Sequence, residues 1–200
     1  RAARRLGLPA ELAIAAMNAL GAIGAPASSA AIAPYLQHRS AEVRRAAAQA
    51  LGRTGGPEAR AALLRGLRAS DAVVRGLSAS GLRFAGDRDS VPDLVRALDR
   101  NVTEAAAAIA ALCEGPGCDD LTARFDKLAP GVQNAALEMM LKRKPALPDD
   151  VILLAMSKTH ALPAASAKAW LAGLKAGKNG SKKVQKALEE AIRAAKEASP

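Results

Sequence analysis

The hydrophobic and polar positions of the chain repeat with a period of 31 residues. Within each period, apolar residues spaced by three and four predict one helix, a glycine-containing turn predicts its end, and a second apolar series predicts another helix. The positions that recur are Leu20, Leu51 and Leu82; Gly24, Gly55 and Gly86; Ile32, Leu63, Leu94 and Phe125; and Leu36, Leu67 and Leu98. The pattern therefore predicts a series of stacked helix pairs.

The second period shows the predicted pair most clearly. A first helix is expected over residues 42–51, a turn over residues 53–57 and a second helix over residues 58–68. Gly55 lies in this turn, where glycine can adopt the positive φ that a tight reversal needs. Short polar residues that can cap a first helix, by accepting hydrogen bonds from its free N–H groups, recur before these helices. They are Ser40, Asp71 and Asn101.

The composition supports an all-α fold. Fifty of the 200 residues are alanine, which has the highest helix propensity, and only four residues are aromatic. Half of the chain is hydrophobic, too much for a disordered protein. No apolar run reaches eighteen residues, so no membrane span is expected.

The charge is positive and unevenly distributed. The chain has 29 lysine and arginine residues against 19 acidic residues, a net charge of +10. Residues 1–126 carry 16 arginines against 13 acids, whereas residues 127–200 carry 13 basic residues, 11 of them lysine, against 6 acids. Such an excess is compatible with nucleic acid, an anionic lipid or an acidic protein as partner, and it selects none of them.

A short motif indicates the kind of repeat. Residues 42–46 (Glu-Val-Arg-Arg-Ala) and residues 50–55 (Ala-Leu-Gly-Arg-Thr-Gly), with an echo at Val74-Arg75, resemble the short bacterial HEAT-like repeats of the phycobilisome-lyase type. The resemblance implies a right-handed α-solenoid of about five to six antiparallel helix pairs, in which the second helices line a concave, partner-binding face. It also implies that Arg44 and Arg75 connect neighbouring repeats.

The same resemblance suggests how the chain is organised. Residues 1–8 are expected to be the end of a preceding, truncated repeat, and residues 9–128 to form four HEAT-like repeats. Residues 129–200 are expected to form degenerate repeats and a lysine-rich helical cap at the C-terminus. The oligomeric state is left open.

Basic residues on successive predicted second helices form the strongest candidate site. Arg65, Arg96, Lys127 and Lys158 are each 31 residues apart, and we call them the basic ladder. Further arginines could widen it, namely Arg68, Arg100, Arg60, Arg124 and Arg39. Two interpretations remain: the cations bind a partner, or they only complement the negative ends of helix dipoles. Asp93, Asp99 and Asp126 interrupt the ladder, so it is not a continuous phosphate-binding track.

Two cysteines bear on the cellular compartment. Cys113 and Cys118 enclose Glu-Gly-Pro-Gly, a turn that could bring their sulfur atoms within bonding distance. A disulfide indicates an oxidising compartment such as the periplasm, whereas reduced cysteines are compatible with the cytoplasm. Two cysteines are too few to decide, and the cytoplasm is the compartment favoured without further information.

The sequence carries no signature of an enzyme. His38 and His160 are the only histidines, and neither belongs to a metal-binding motif, so no metal or other cofactor is expected. No nucleophile has a recognisable base beside it in a known motif. We therefore expect a non-enzymatic scaffold that binds another protein, through an acidic segment, on its concave face. The alternative is nucleic-acid binding through the basic ladder and the C-terminal lysines.

Overall fold

The computed structural model describes residues 9–160, 162–177 and 181–197, and in these residues all regular structure is helical, without strands. The α-helices, with their bounds, are α1 (Ala10–Ile23), α2 (Ser29–Ile32), α3 (Ala41–Thr54), α4 (Gly56–Gly66), α5 (Ala72–Ala85), α6 (Val91–Leu98), α7 (Glu104–Leu112), α8 (Pro116–Arg124), α9 (Pro130–Lys142), α10 (Asp149–Ser157), α11 (Ala164–Gly177) and α12 (Lys182–Glu197). The expected all-α class is confirmed. The truncated repeat expected at residues 1–8 lies outside the described residues.

The chain divides into two compact units, residues 1–108 and residues 109–200. The division falls within α7, in the fourth predicted repeat. Each unit is described below by itself.

Local hydrogen bonds explain where the first helices begin. The Ser40 hydroxyl accepts from the backbone N–H of Val43 at 3.4 Å, and the Asp71 carboxylate accepts from that of Val73 at 2.8 Å. These two predicted N-caps are confirmed, because each satisfies a donor that the first helical turn leaves free. The third prediction is wrong. Asn101 adopts φ 62° in the turn after α6, three residues before α7 begins.

The turn between α3 and α4 is shorter than predicted. Gly55, with φ 62° and ψ −159°, is the one residue between the two helices, and Gly56 next to it also has a positive φ of 81°. As a result α3 continues to Thr54 and α4 already begins at Gly56. Residues with a Cβ rarely adopt this backbone conformation. At its other end α4 stops at Gly66, two residues earlier than expected, and Arg68 lies in the following turn.

The second helix of the first pair is also interrupted. Only Ser29–Ile32 is α-helical, between the 3₁₀ turns Pro26–Ser28 and Ala33–Gln37. Each 3₁₀ turn has a proline in its first two positions. Pro34 follows Ser29–Ile32, and because its nitrogen carries no N–H and its ring crowds the preceding turn, it explains why the α-helix stops there. Pro26 is the first residue of its turn, where proline is tolerated.

In the first unit, α3 packs between α1 and α5. The helices approach closely because small residues face one another. A Cβ built on Gly21 would lie 3.1 Å from the Ala50 Cα, and one built on Gly52 would lie 2.6 Å from the Gly81 carbonyl oxygen. The leucines that recur in the sequence pattern form the core below this contact, and Leu51, Leu63 and Leu82 are completely buried.

The Val-Arg motif holds the turns that precede two of the first helices. Arg44 donates to the carbonyl groups of His38 and Arg39 and forms an ion pair of 3.1 Å with Asp71 at the start of the next repeat. Arg75 donates in the same way to the carbonyl groups 31 residues further on, those of Ala69 and Ser70. At the position of Asp71 the following repeat has Val102, so Arg75 meets no equivalent acid there.

A buried glutamine connects three elements of the second unit. The Gln133 amide, completely buried on α9, donates to the carbonyl groups of Phe125 at 2.7 Å and Lys158 at 3.2 Å, and its oxygen accepts from the backbone N–H of His160. These bonds join the end of the α8 segment to the end of α10 through α9. Further along the chain, Trp170 on α11 is 8% exposed and belongs to the core.

Candidate protein-interaction surface

A groove of about 650 Å³ lies along the second-helix layer of the first unit. Its walls come mainly from the first two repeats, with α2 and the following 3₁₀ turn on one side and α4 on the other, and Val74 of α5 adds to them. Small and apolar side chains dominate the lining, which consists of Ala30, Ala33, Pro34, Leu36, Ala61, Ala62, Gly66, Ala69 and Val74, together with Gln37, Glu58 and Arg65. Such a surface can accept an aliphatic side chain or an extended backbone, with polar groups only at its margins.

The two charged residues of this groove lie at opposite ends of α4. Glu58 is in the first turn and Arg65 in the last turn. The positive end of the helix dipole stabilises the glutamate and the negative end stabilises the arginine. Both side chains are exposed, and neither forms an ion pair with another described residue. Seven residues of helix separate them by roughly 10 Å. The groove therefore has a positive and a negative end.

Arg68 and Arg96, both predicted to bind a partner, share one carboxylate in the structure. Asp93 accepts from Arg96 at 2.7 Å and from Arg68 at 3.2 Å, which connects the turn after α4 to α6. Partial burial alone raises the pKa of Asp93, but hydrogen bonds and positive charge from Arg96 and Arg68 outweigh it and lower the pKa below its ordinary value. Asp93 thus neutralises part of the charge that the sequence pattern places on this face.

The remaining members of the predicted site differ in what their charges contact. Lys127, in the second unit, is exposed in the 3₁₀ turn Phe125–Lys127. Lys158 is half-buried, and its ammonium donates to the Thr122 carbonyl at 2.8 Å near the end of α8. Arg100, in the first unit, donates its Nε to the Arg96 carbonyl. Lys158 therefore donates to a carbonyl in the last turn of a helix of its own unit, as the helix-dipole interpretation expects.

The arginines expected to widen the ladder are mostly engaged as well. Arg60 pairs with Asp87 at 2.8 Å and Arg124 with Asp120 at 3.3 Å. Sequence reasoning identified Arg65 but missed the groove beside it. The lining alanines carry no chemical signal in the sequence, and only the packing of α2 against α4 brings them together.

The cysteines form a disulfide across the α7–α8 turn. Their sulfur atoms are 2.13 Å apart and their Cα atoms 5.2 Å apart, and both residues are buried. The guanidinium group of Arg143, 6% exposed, donates to the Cys113 carbonyl and lies 3.6 Å from the Glu114 carboxylate. Glu114, Cys118 and Arg143 border a smaller cavity of about 210 Å³. The structure thus supports the oxidised alternative and leaves the compartment open.

The C-terminal lysines lie on exposed surface. Lys175 on α11 pairs with Glu189 on α12 at 2.8 Å, and Lys186 lies 3.8 Å from Glu190. Lys182 and Lys183 are exposed at the start of α12, and Lys178 lies outside the described residues. Acidic neighbours therefore accompany part of this lysine cluster.

The described part of the chain has neither a metal-binding cluster nor a membrane-spanning helix. It contains no cluster of three or more histidine, cysteine or acidic side chains that could hold a metal ion. None of its helices is both long enough and apolar enough to cross a bilayer.

The stacked helix pairs with a fixed period place the chain in the class of all-α repeat proteins. Within that class, the family model of HEAT repeats matches residues 7–83, so the recognition of HEAT-like repeats is confirmed there. HEAT repeats generally serve as scaffolds for protein interaction. A search of the curated proteins found no match.

Proposed function

We propose that the chain is a non-enzymatic scaffold that binds an acidic segment of another protein in the groove between the first two repeats. One observation carries this proposal: Arg65 is exposed and without an ion-pair partner among the described residues, at the margin of a groove lined by alanine, proline and leucine. An exposed cation beside an apolar groove favours a partner that has aliphatic and acidic side chains close together.

The charges of the groove suggest how such a segment is oriented. Its carboxylates lie at the Arg65 end, where Arg68 and Arg96 add positive charge that Asp93 only partly neutralises. At the opposite end Glu58 repels acidic groups and favours a basic residue or free N–H groups. Arg100 widens the proposed surface within the first unit. In the second unit, Lys127 remains a separate candidate for partner binding, while Lys158 contributes mainly to the stability of that unit.

Charge-reversal variants test this proposal with a defined probe. The probe is a short fluorescein-labelled peptide of glutamate and leucine, measured by fluorescence anisotropy. Arg65→Glu should weaken its binding about tenfold or more, because it replaces attraction by repulsion at the groove. The matched control is Arg45→Glu, since Arg45 is exposed on α3 and does not line the groove. Equal weakening by both variants would contradict a local site and indicate attraction by net charge alone.

A third variant, Asp93→Asn, should raise the affinity for the acidic probe instead of lowering it. Asp93→Asn removes the carboxylate that Arg68 and Arg96 share, so the acidic probe should bind more tightly. Helicity measured by circular dichroism should stay at the wild-type level in all three variants. Unchanged affinity of Asp93→Asn would contradict the contribution of Arg68 and Arg96.

Labelled duplex DNA separates this proposal from the nucleic-acid alternative. Binding driven by phosphates weakens steeply between about 50 and 200 mM salt. We expect the chain to bind the duplex weakly, and we expect Arg65→Glu to leave that affinity unchanged. Tight, salt-sensitive binding that Arg65→Glu abolishes would favour nucleic acid instead.

A further inference from the structure

The two cysteines of the disulfide have different surroundings. Cys118 lines the cavity of about 210 Å³, whereas Cys113 does not line it and is completely buried. The rim of this cavity reaches solvent, because Glu114, Asp119 and Pro145 of its lining are exposed. A small molecule that enters the cavity therefore meets the bridge on the side of Cys118.

A buried cation lies beside the other sulfur atom. The Arg143 guanidinium is 3.9 Å from the Cys113 Sγ, and it also donates to the Cys113 carbonyl. The Arg143 side chain is only 6% exposed, so water screens its charge little at this distance. The Glu114 carboxylate at 3.6 Å is largely exposed and neutralises that charge only in part. The surroundings of Cys113 therefore favour a negative charge on its sulfur, which the sulfur carries only when the bridge is open.

A disulfide opens when a thiolate attacks one sulfur and the other sulfur leaves as a thiolate, so a stabilised leaving thiolate departs faster. We propose that Cys118 is a site at which a small thiol forms a mixed disulfide, with Cys113 as the leaving thiolate beside Arg143. The incoming thiolate forms a bond to the Cys118 sulfur, the bond between the two cysteines breaks, and its electron pair goes to the Cys113 sulfur. The incoming sulfur is oxidised and the Cys113 sulfur is reduced, so no further oxidant or reductant takes part.

The modification is reversible and acts on the α7–α8 turn. When the small thiol is scarce, the Cys113 thiolate attacks the Cys118 sulfur, restores the bridge and releases the small thiolate. Because α7 ends at Leu112 and α8 begins at Pro116, the bridge ties the first turn of α8 to the residue after α7. Formation of the mixed disulfide removes this tie and frees the start of α8 from the end of α7.

Brief treatment of the oxidised chain with 2-mercaptoethanol tests which sulfur is attacked. Protein purified without reductant is sampled at short times, quenched with acid, unfolded and labelled with N-ethylmaleimide. No lysine or arginine lies between residues 101 and 123, so tandem mass spectrometry of one tryptic peptide assigns both cysteines. We expect the mercaptoethanol adduct on Cys118 and maleimide on Cys113, about tenfold more often than the reverse.

Three results of this experiment would overturn the proposed site. They are an adduct mainly or equally on Cys113, the absence of any adduct at every time point, and two free thiols in protein purified without reductant.

Arg143→Gln tests the effect of the positive charge on the rate at which 2-mercaptoethanol opens the bridge. The rate should fall about fivefold or more, because the leaving thiolate loses its cation. Mere loosening of the turn by this substitution would speed the reaction instead, so the direction of the change separates the two effects. The matched control is Lys142→Gln, which removes a neighbouring exposed cation that does not line the cavity and should leave the rate unchanged. Equal slowing by both variants, or faster opening of Arg143→Gln, would overturn the role of Arg143.

Glu114→Gln provides a variant with the opposite effect and little risk to folding, since Glu114 is exposed. It removes the carboxylate that partly neutralises Arg143, so the bridge should open about twofold faster or more. An unchanged or lower rate would contradict electrostatic control by this pair. In concentrated urea, wild type, Arg143→Gln and Lys142→Gln should all open at one rate, because unfolding separates Arg143 from Cys113. A difference that persists in urea would show that the folded geometry is not its cause.

Discussion

Glycine residues set the distance between the first helices of neighbouring repeats. Gly52 has no room for a side chain, because the Gly81 carbonyl oxygen and the Phe84 Cβ occupy the space where its Cβ would lie. Gly173, in the interior of α11, faces open space instead. The same substitution therefore has opposite consequences at two helical positions.

Gly52→Ala should lower the free energy of unfolding by about 1 to 3 kcal/mol, because α3 and α5 must separate to admit the methyl group. Gly173→Ala should raise it by about 0.5 to 1 kcal/mol, since alanine is the better helix former and meets no neighbour. Urea denaturation followed by circular dichroism measures both. Equal effects of the two substitutions would contradict the close approach of α3 and α5.

Asp93 should make stability depend on pH in the acidic range. Its pKa in the folded chain lies below the ordinary value of 3.8, so its ion pairs stabilise the fold above that value, and the contribution is lost as the pH falls through the lowered pKa. At neutral pH, Asp93→Asn should cost less than about 1 kcal/mol, as exposed pairs do. The free energy of unfolding of Asp93→Asn and of wild type should be measured by denaturation from about pH 7 to pH 2. The difference between the two should fall to zero at the acidic end. A constant difference would exclude titration of this carboxyl as its cause.

At the scale of elements, the turns differ in what constrains them. The α3–α4 turn depends on two consecutive glycines at positive φ, Gly55 and Gly56, whereas the α7–α8 turn has a disulfide between Cys113 and Cys118. The sequence predicted a turn at both places. It left the redox state open, because the sulfur distance depends on how the two helices meet.

Replacing Cys113 and Cys118 by serine should lower the free energy of unfolding by about 2 kcal/mol, the loop entropy expected for so short a bridge. Wild-type protein with the bridge reduced by dithiothreitol should lose a similar amount. Thermal unfolding with and without reductant measures both effects, and the serine variant serves as the control because it should not respond to reductant. A response of that variant would mean that the reductant acts elsewhere.

The second helices were harder to predict than the first helices. The expected caps and apolar spacing located α3 and α5, because these signals act between residues two to four positions apart. The interruption of α2 and the early end of α4 were missed. Short connections and prolines decide where these helices begin and end next to the neighbouring repeat. The periodic pattern of apolar residues carries no information about those boundaries.

At the scale of the whole molecule, a repeat architecture makes stability local. Each helix pair contacts chiefly its neighbours, so a weakened interface should affect adjacent repeats first. Hydrogen exchange of Gly52→Ala, read by mass spectrometry, should be faster than wild type in α1, α3 and α5 and unchanged in α9 to α12. An equal acceleration throughout the chain would show instead that it unfolds as one cooperative unit.

The amino-acid sequence by itself determined the helical class, the 31-residue period, two helix caps and the positions of the basic residues. These features follow from local propensity and from apolar spacing within single helices, which the order of residues records directly. Only the tertiary structure decided which charges remain available. Asp93 lies 25 residues from Arg68, and Thr122 lies 36 residues from Lys158. Such pairs form because packed helices bring distant side chains together, and the same packing creates the groove beside Arg65.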